Sequence, residues 1–162
     1  MVTRQAPHKE IEDDPGAEVR LEMAMLAADG EDGVEASGLE VGRDETSYSY
    51  RTLELLSERE PEDEFFFLLG ADMAAGLASW KEPARVLELA RLGVVPRPGV
   101  GLGAVESALE RLDASDRAEI IDMPLCGASS TTVRQRAREG KPLRHLVPDP
   151  VLALIRERGL YR

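Results

Sequence analysis

Four consecutive hydroxyl residues, Ser129 to Thr132, stand between an apolar stretch and a helix-forming one, and Arg134 follows about one helical turn into the latter. That arrangement suits an anion. The first turn of a helix presents backbone N–H groups without intrahelical partners, and the helix dipole adds partial positive charge there. Ser130 and Thr131 can add hydroxyl donors. The Arg134 guanidinium can fold back toward the same place and bind a phosphate through two parallel hydrogen bonds. From Arg134 to Arg144 four arginines and Lys141 face only Glu139, a local reversal of sign in a chain of net charge −11. The same stretch also reads as a capped helix with a solvated basic face.

A second constellation runs from residue 65 to residue 80. Gly70 follows an apolar run and lets the backbone come close to a ligand. Asp72 stands where a ribose hydroxyl or a metal-bound ligand would be met. Trp80, the only tryptophan, lies in the polar stretch Ser79-Trp-Lys81-Glu82, where an indole could stack on a flat ring. The alternatives are a helix cap for Asp72 and a core anchor for Trp80. Pro7-His8-Lys9 is a compact basic tripeptide. Residues 43–53 form a polar loop with Ser and Thr donors leading into a helix.

Several chemistries are excluded. His8 and His145 lack zinc-type spacing, and Cys126, the single cysteine, has no partner in the chain, so a reducing cytoplasmic setting is the default. No Walker loop or Gly-x-Gly-x-x-Gly occurs. Gly99, Gly101 and Gly103 have the wrong spacing for that fingerprint and read as a loop. No Ser/His/Asp triad can be assembled.

Positioning these groups requires a scaffold, and the pattern of the chain outlines one. Helices are expected over 18–28, with Val19, Met23, Leu26 and Ala27 inward, and from Ser47 or Ser49 to Arg59. Further helices are expected over 82–91, 105–112, 129–139 and 148–158, with Gly140 and Gly159 closing the last two. Residues 34–41 alternate like a strand. Residues 65–69 read as a strand buried on both faces, and 92–95 and 118–123 as two more. This alternation predicts an α/β fold with a mostly parallel sheet of about four strands and ligands beyond the C-terminal ends of the strands.

At 162 residues the chain suits a single domain, 1–162. Its 43 % hydrophobic and 31 % charged content is ordinary for a globular protein. Thirty-one acidic against twenty basic residues argue against a nucleic-acid binder. No run approaches the roughly 18 apolar residues of a membrane span, and the N-terminus lacks a signal peptide's apolar core.

The order of these weak signals is informative. Pro7-His8-Lys9, Arg20-Leu-Glu-Met23, residues 43–53 and 66–72, Trp80, Val94-Val-Pro-Arg-Pro-Gly99, Ser129-Ser-Thr-x-x-Arg134 and the ending Gly159-Leu-Tyr-Arg162 together resemble bacterial nicotinate-nucleotide adenylyltransferases. The Ser-Ser-Thr-x-x-Arg element belongs to the wider nucleotidyltransferase superfamily. The Pro-His-Lys, Ser-Tyr-Ser and Asp…Trp elements point to this branch rather than to pantetheine-phosphate adenylyltransferase. The resemblance implies a Rossmann-like parallel sheet with flanking helices, and adenylyl transfer from ATP to nicotinate mononucleotide in NAD synthesis, with Mg2+. By position it implies that Ser129, Ser130, Thr131 and Arg134 hold ATP phosphates. Gly70, Asp72 and Arg97 meet the nucleotides, Ser49 and Trp80 the nicotinate, and His8 and Lys9 the substrate phosphate. Partners are small molecules, with neither nucleic acid nor membrane, and a homo-oligomer is compatible with the pattern.

The departures carry expectations of their own. The family's Gly-Gly-Thr-Phe-Asp-Pro-x-His-x-Gly-His loop does not occur in the chain, so no catalytic residue is assigned, and the fold is expected to lack its first strand–helix unit. Glu45 stands for the usual Gly, Ala128 for Ile and Ser49 for Thr. Met1 reads as an internal residue of a longer protein. The competing reading is a short protein without catalysis that keeps a nucleotide- or partner-binding role.

Overall fold

The computed structural model describes residues 1–4, 13–43, 46–96, 101–124 and 128–162. Its helices in chain order are α1 (Ala17–Ala28), α2 (Ser49–Arg59), α3 (Ala71–Ala75), α4 (Pro83–Leu89), α5 (Leu102–Glu110), α6 (Ser130–Arg138) and α7 (Asp149–Glu157). The residues group into two compact units, Tyr48–Cys126 on the one hand and Met1–Ser47 with Gly127–Arg162 on the other.

Aromatic and branched side chains favour extended backbone, and in the unit Tyr48–Cys126 the segments rich in them become adjacent strands. β1 (Phe65–Gly70) pairs in parallel with β2 (Ala90–Val95), Phe65 opposite Ala90 through Gly70 opposite Val95. A short β3 (Ala118–Ile120) joins the other side of β2, with Leu92 opposite Ala118 and Val94 opposite Ile120. The order β1-β2-β3, parallel throughout, is the α/β architecture the strand–helix alternation implied. The core of this unit joins Leu69 of β1 and Leu92 and Val94 of β2 to Leu53, Leu77, Val86, Val105 and Leu109 from the helical segments. Pro83 opens α4 in its first turn, where its missing N–H costs nothing. The Arg117 guanidinium donates two hydrogen bonds, of 3.1 and 2.7 Å, to the Leu87 carbonyl near the end of that helix.

Four expectations about these elements are corrected. The apolar run at 65–69 is not buried on both faces. β1 is an edge strand, and Phe66 and Leu68 are 47 % and 64 % exposed. In register with them, Arg91 and Glu119 form an ion pair of 2.7 Å, and the Arg91 guanidinium lies over the Phe66 ring. Residues 34–41 are irregular and end in a turn rather than forming a strand: Val34 is exposed, and Val41 N–H closes a turn on the Gly38 carbonyl. Gly38 lies against Leu21 of α1, where a Cβ would strike that side chain, and burial rises along 34–41 toward Glu40 and Val41 instead of alternating. The sheet thus has three strands among the described residues, not four. Neither Ser47 nor Ser49 caps α2. Tyr48 holds the cap position without a side-chain bond, and Ser49 is the first helical residue. Smaller shifts are a helix α4 that ends at Leu89, α5 beginning at Leu102 inside the expected glycine loop, and β3 ending at Ile120.

In the unit Met1–Ser47 with Gly127–Arg162, the apolar faces of α1, α6 and α7 converge. Val133, Leu143, Val151, Leu152 and Ile155 are its buried core, with Met23, Leu26, Ala137 and Tyr161 packed against them. Arg158 and Glu22 pair at 2.8 Å. Both α6 and α7 end in the same way. Beyond α6, Gly140 has φ 65, and Lys141 N–H and Gly140 N–H return to the carbonyls of Arg136 and Ala137. Beyond α7, Gly159 has φ 60, and Leu160 and Gly159 return to Ile155 and Arg156. These are the paired reverse bonds of a glycine-terminated helix. A Cβ at Gly140 would meet nothing within 4 Å, so only the left-handed backbone opposes one. Gly140→Ala is therefore expected to lower stability by about 1–2 kcal/mol, the cost of a left-handed residue bearing a Cβ. Urea denaturation of the two proteins measures it.

Candidate functional site

The start of α6 is built by local chemistry. Ser129 has extended backbone, and its Oγ accepts the Thr132 N–H at 3.1 Å and lies 2.9 Å from Thr132 Oγ1. One free donor of the helix end is thereby satisfied, while helix geometry leaves the N–H groups of Ser130 and Thr131 facing outward. Four residues on from Ser130, on the same face, Arg134 is half-buried.

The cations around this helix differ in how they are used. Arg136 gives two hydrogen bonds to the Pro142 carbonyl, Arg138 a forked pair to Asp13, and Lys141 pairs with Glu139. Among the described residues no carboxylate lies within ion-pair distance of Arg134. Arg134 lines a cavity of about 310 Å³ together with Ser129 and Ser130, and Met23, Val133 and Tyr161 form part of its apolar wall. The structure thus brings Ser129, Ser130 and Arg134 to one cavity. Thr131 is exposed and does not line the cavity. A second cavity of about 340 Å³ lies by the other end of α6, at Ala137, Gly140 and Leu143. There the dipole of that helix disfavours an anion.

In the unit Tyr48–Cys126, Gly70 is the residue before α3, and Asp72 sits exposed in that helix's first turn, where the dipole favours a carboxylate. Asp72 does not cap the helix through its side chain. Trp80 is half-buried, and its ring meets Phe67 edge-on, with centroids 6.1 Å apart and planes at 79°. Trp80 thus packs on the core, as the core-anchor alternative has it, with part of the indole left exposed. Ser49 opens α2 between Tyr48 and Tyr50, whose rings lie 6.1 Å apart. Lys81 Nζ lies 4.6 Å from the centroid of the Tyr48 ring, so the turn bearing Trp80 is tied to the start of α2. Ser49 and Trp80 are brought into one neighbourhood by that contact. His8, Lys9 and Arg97 lie outside the described residues.

Two residues that sequence reasoning did not assign sit at these places, Lys81 and Tyr161. Lys81 directly follows Trp80, which is a signal. Tyr161 belongs to the ending Gly159-Leu-Tyr-Arg162, but its place on the cavity depends on where α7 ends. Among the described residues no three His, Cys, Asp or Glu side chains converge as a metal-ligand set, and no helix is long and apolar enough to cross a membrane.

The parallel strand–helix unit defines an α/β protein, and the start of α6 sets hydroxyls beside an arginine that has no carboxylate partner among the described residues. No family model matches the chain. A probable nicotinate-nucleotide adenylyltransferase of Rubrobacter xylanophilus is 37 % identical over 157 residues, 96 % of this chain and 73 % of the relative. One from Roseiflexus castenholzii is 42 % identical over 145 residues, covering 88 % and 71 %. Among solved structures, the Plasmodium falciparum nicotinic acid mononucleotide adenylyltransferase complexed with NaAD superposes with a TM-score of 0.69 at 18 % identity, covering 98 % of this chain and 78 % of that one. The structural likeness shows the shared Rossmann-like fold. The sequence relatives show the family: the chain belongs to the nicotinate-nucleotide adenylyltransferases.

Proposed function

We propose that the chain binds Mg-ATP and nicotinate mononucleotide and joins them, giving deamido-NAD and pyrophosphate. A phosphate oxygen of the mononucleotide attacks the α-phosphorus of ATP, and the bond to the β-phosphate oxygen breaks. The observation that carries this reading is Arg134, half-buried on a cavity beside Ser129 and Ser130 and lacking a carboxylate partner among the described residues. The names of the relatives supply the substrates.

In this reading Ser129, Ser130, Thr131 and Arg134 hold the triphosphate, and Gly70, Asp72 and Arg97 meet the nucleotides. Ser49 and Trp80 take the nicotinate, and His8 and Lys9 the phosphate of the mononucleotide. Residues 1–162 act together as one nucleotidyltransferase domain in the cytoplasm. Mg2+ arrives with the triphosphate, because Mg2+ is commonly held by substrate phosphates and few protein ligands. Phosphoryl transfer of this kind rests on positioning and on charge stabilisation at the transferring phosphorus. The alternative reading is an ATP-binding module without turnover, since His8 and His145 form no His-x-Gly-His.

Two measurements test the proposal. Pyrophosphate release from ATP and nicotinate mononucleotide reports turnover, and saturable ATP binding without release favours the second reading. Because Trp80 is the only tryptophan, nicotinate mononucleotide is expected to quench the intrinsic fluorescence. Trp80→Ala should weaken that ligand by about tenfold, in line with roughly 1–3 kcal/mol for stacking a base on an aromatic ring, as read by calorimetry. Equal affinity would confine Trp80 to its contact with Phe67.

A further inference from the structure

Tyr161 stands four residues beyond the last helical residue, but one of its neighbours in the cavity is Arg134, 27 positions earlier in the chain. The reversal at Gly159 brings it there: φ is 60 at Gly159, Leu160 bonds back to Ile155, and Tyr161 itself has φ 62. A positive φ is unfavourable for a residue with a Cβ and persists where the surroundings determine it. Here the surroundings are the core of Val133, Leu143, Val151, Leu152 and Ile155, against which the Tyr161 ring packs.

The polar end of that ring is set among charges. Burial pushes the Tyr161 phenol above its ordinary value, the positive charges of Arg134 and Arg20 pull it down, and Asp14 pushes it up. Arg20 is already engaged by Asp14 Oδ1 and by the carbonyls of Thr3 and Arg4, at 2.9, 2.6 and 2.9 Å. Asp14 also accepts the Gly16 N–H. Arg134 is the cation near Tyr161 without such partners among the described residues.

We propose that Tyr161 is a positioning residue of the nucleotide site: its phenol orients the Arg134 guanidinium across the cavity so that the fork faces the triphosphate. A carboxylate in that place would neutralise the arginine and compete with phosphate. A neutral phenol oxygen can accept a guanidinium N–H while leaving the positive charge in place for the ligand. The inference rests on the proposed assignment of Arg134 to ATP.

The test is a double-mutant cycle on ATP affinity, measured by calorimetry with wild type, Tyr161→Phe, Arg134→Ala and the double variant. Phe keeps the ring in the apolar wall, and thermal melting checks that the fold is retained. Tyr161→Phe is expected to weaken ATP by about five- to tenfold. In the Arg134→Ala background it is expected to change nothing further. The same loss in both backgrounds would assign Tyr161 a merely structural part, and wild-type affinity in Tyr161→Phe would remove it from the site. Either result, with Arg134→Ala still impaired, overturns this inference alone. Wild-type protein that fails to bind ATP overturns it together with the ATP assignment.

Discussion

Arg134→Ala is expected to weaken ATP binding by about 10- to 100-fold, the equivalent of losing a charged hydrogen bond of roughly 1.5–3 kcal/mol. Stability should change little, by about 0.5 kcal/mol or less, as for a substitution that breaks no structural pair. The asymmetry follows from the partners. Arg134 has no carboxylate in ion-pair distance among the described residues, so its removal leaves no carboxylate unpaired, whereas Arg138 is forked onto Asp13. Arg138→Ala is therefore the control, and it should leave ATP affinity close to wild type. Calorimetric titration with ATP, and the KM for ATP where turnover is present, read the result. Equal affinity of Arg134→Ala and wild type would return residues 129–138 to a capped helix with a solvated basic face.

Leu92→Ala is expected to lower the stability of the unit Tyr48–Cys126 by about 2–5 kcal/mol, the usual range for deleting a buried leucine side chain. Leu92 has no solvent exposure and lies in β2, which is hydrogen-bonded on both sides. Since whole domains are stable by only about 5–15 kcal/mol, the variant should unfold at a clearly lower urea concentration. Leu68→Ala is the contrast: on the same sheet, but 64 % exposed, it should cost far less. Similar losses from the two variants would mean that the outward face of β1 is covered in the folded protein.

The parallel strands were legible because their signals are local. Residues 65–69 and 92–95 are apolar runs closed by Gly70 and Pro96, and the helices between them carry periodic leucines and valines. The α6 cap was legible for the same reason, since a serine followed by the helix's own N–H groups needs nothing from elsewhere in the chain. Burial was less legible. A continuous apolar run does not tell whether a second layer lies on its far side, and Phe66 and Leu68 are exposed although Phe67 and Leu69 face the core. Alternation at 34–41 was misleading, because a strand needs a neighbouring strand to pair with, and the segment finds none among the described residues.

What the amino-acid order determined alone is therefore the α/β class, the capped start of α6 and the family, all of which depend on residues close in sequence or on their linear order. Only the tertiary structure decided which of the three arginines of α6 has no hydrogen-bonded or ion-pair partner among the described residues. Arg134, Arg136 and Arg138 are near-identical in sequence context, yet Pro142 and Asp13 engage two of them and leave Arg134 on the cavity. It also decided that Lys81 meets Tyr48 and that Tyr161 lines the same cavity as Arg134. A charge is committed by whatever lies within about 4 Å of it, and across 27 or 125 residues of chain only packing brings such a neighbour into range.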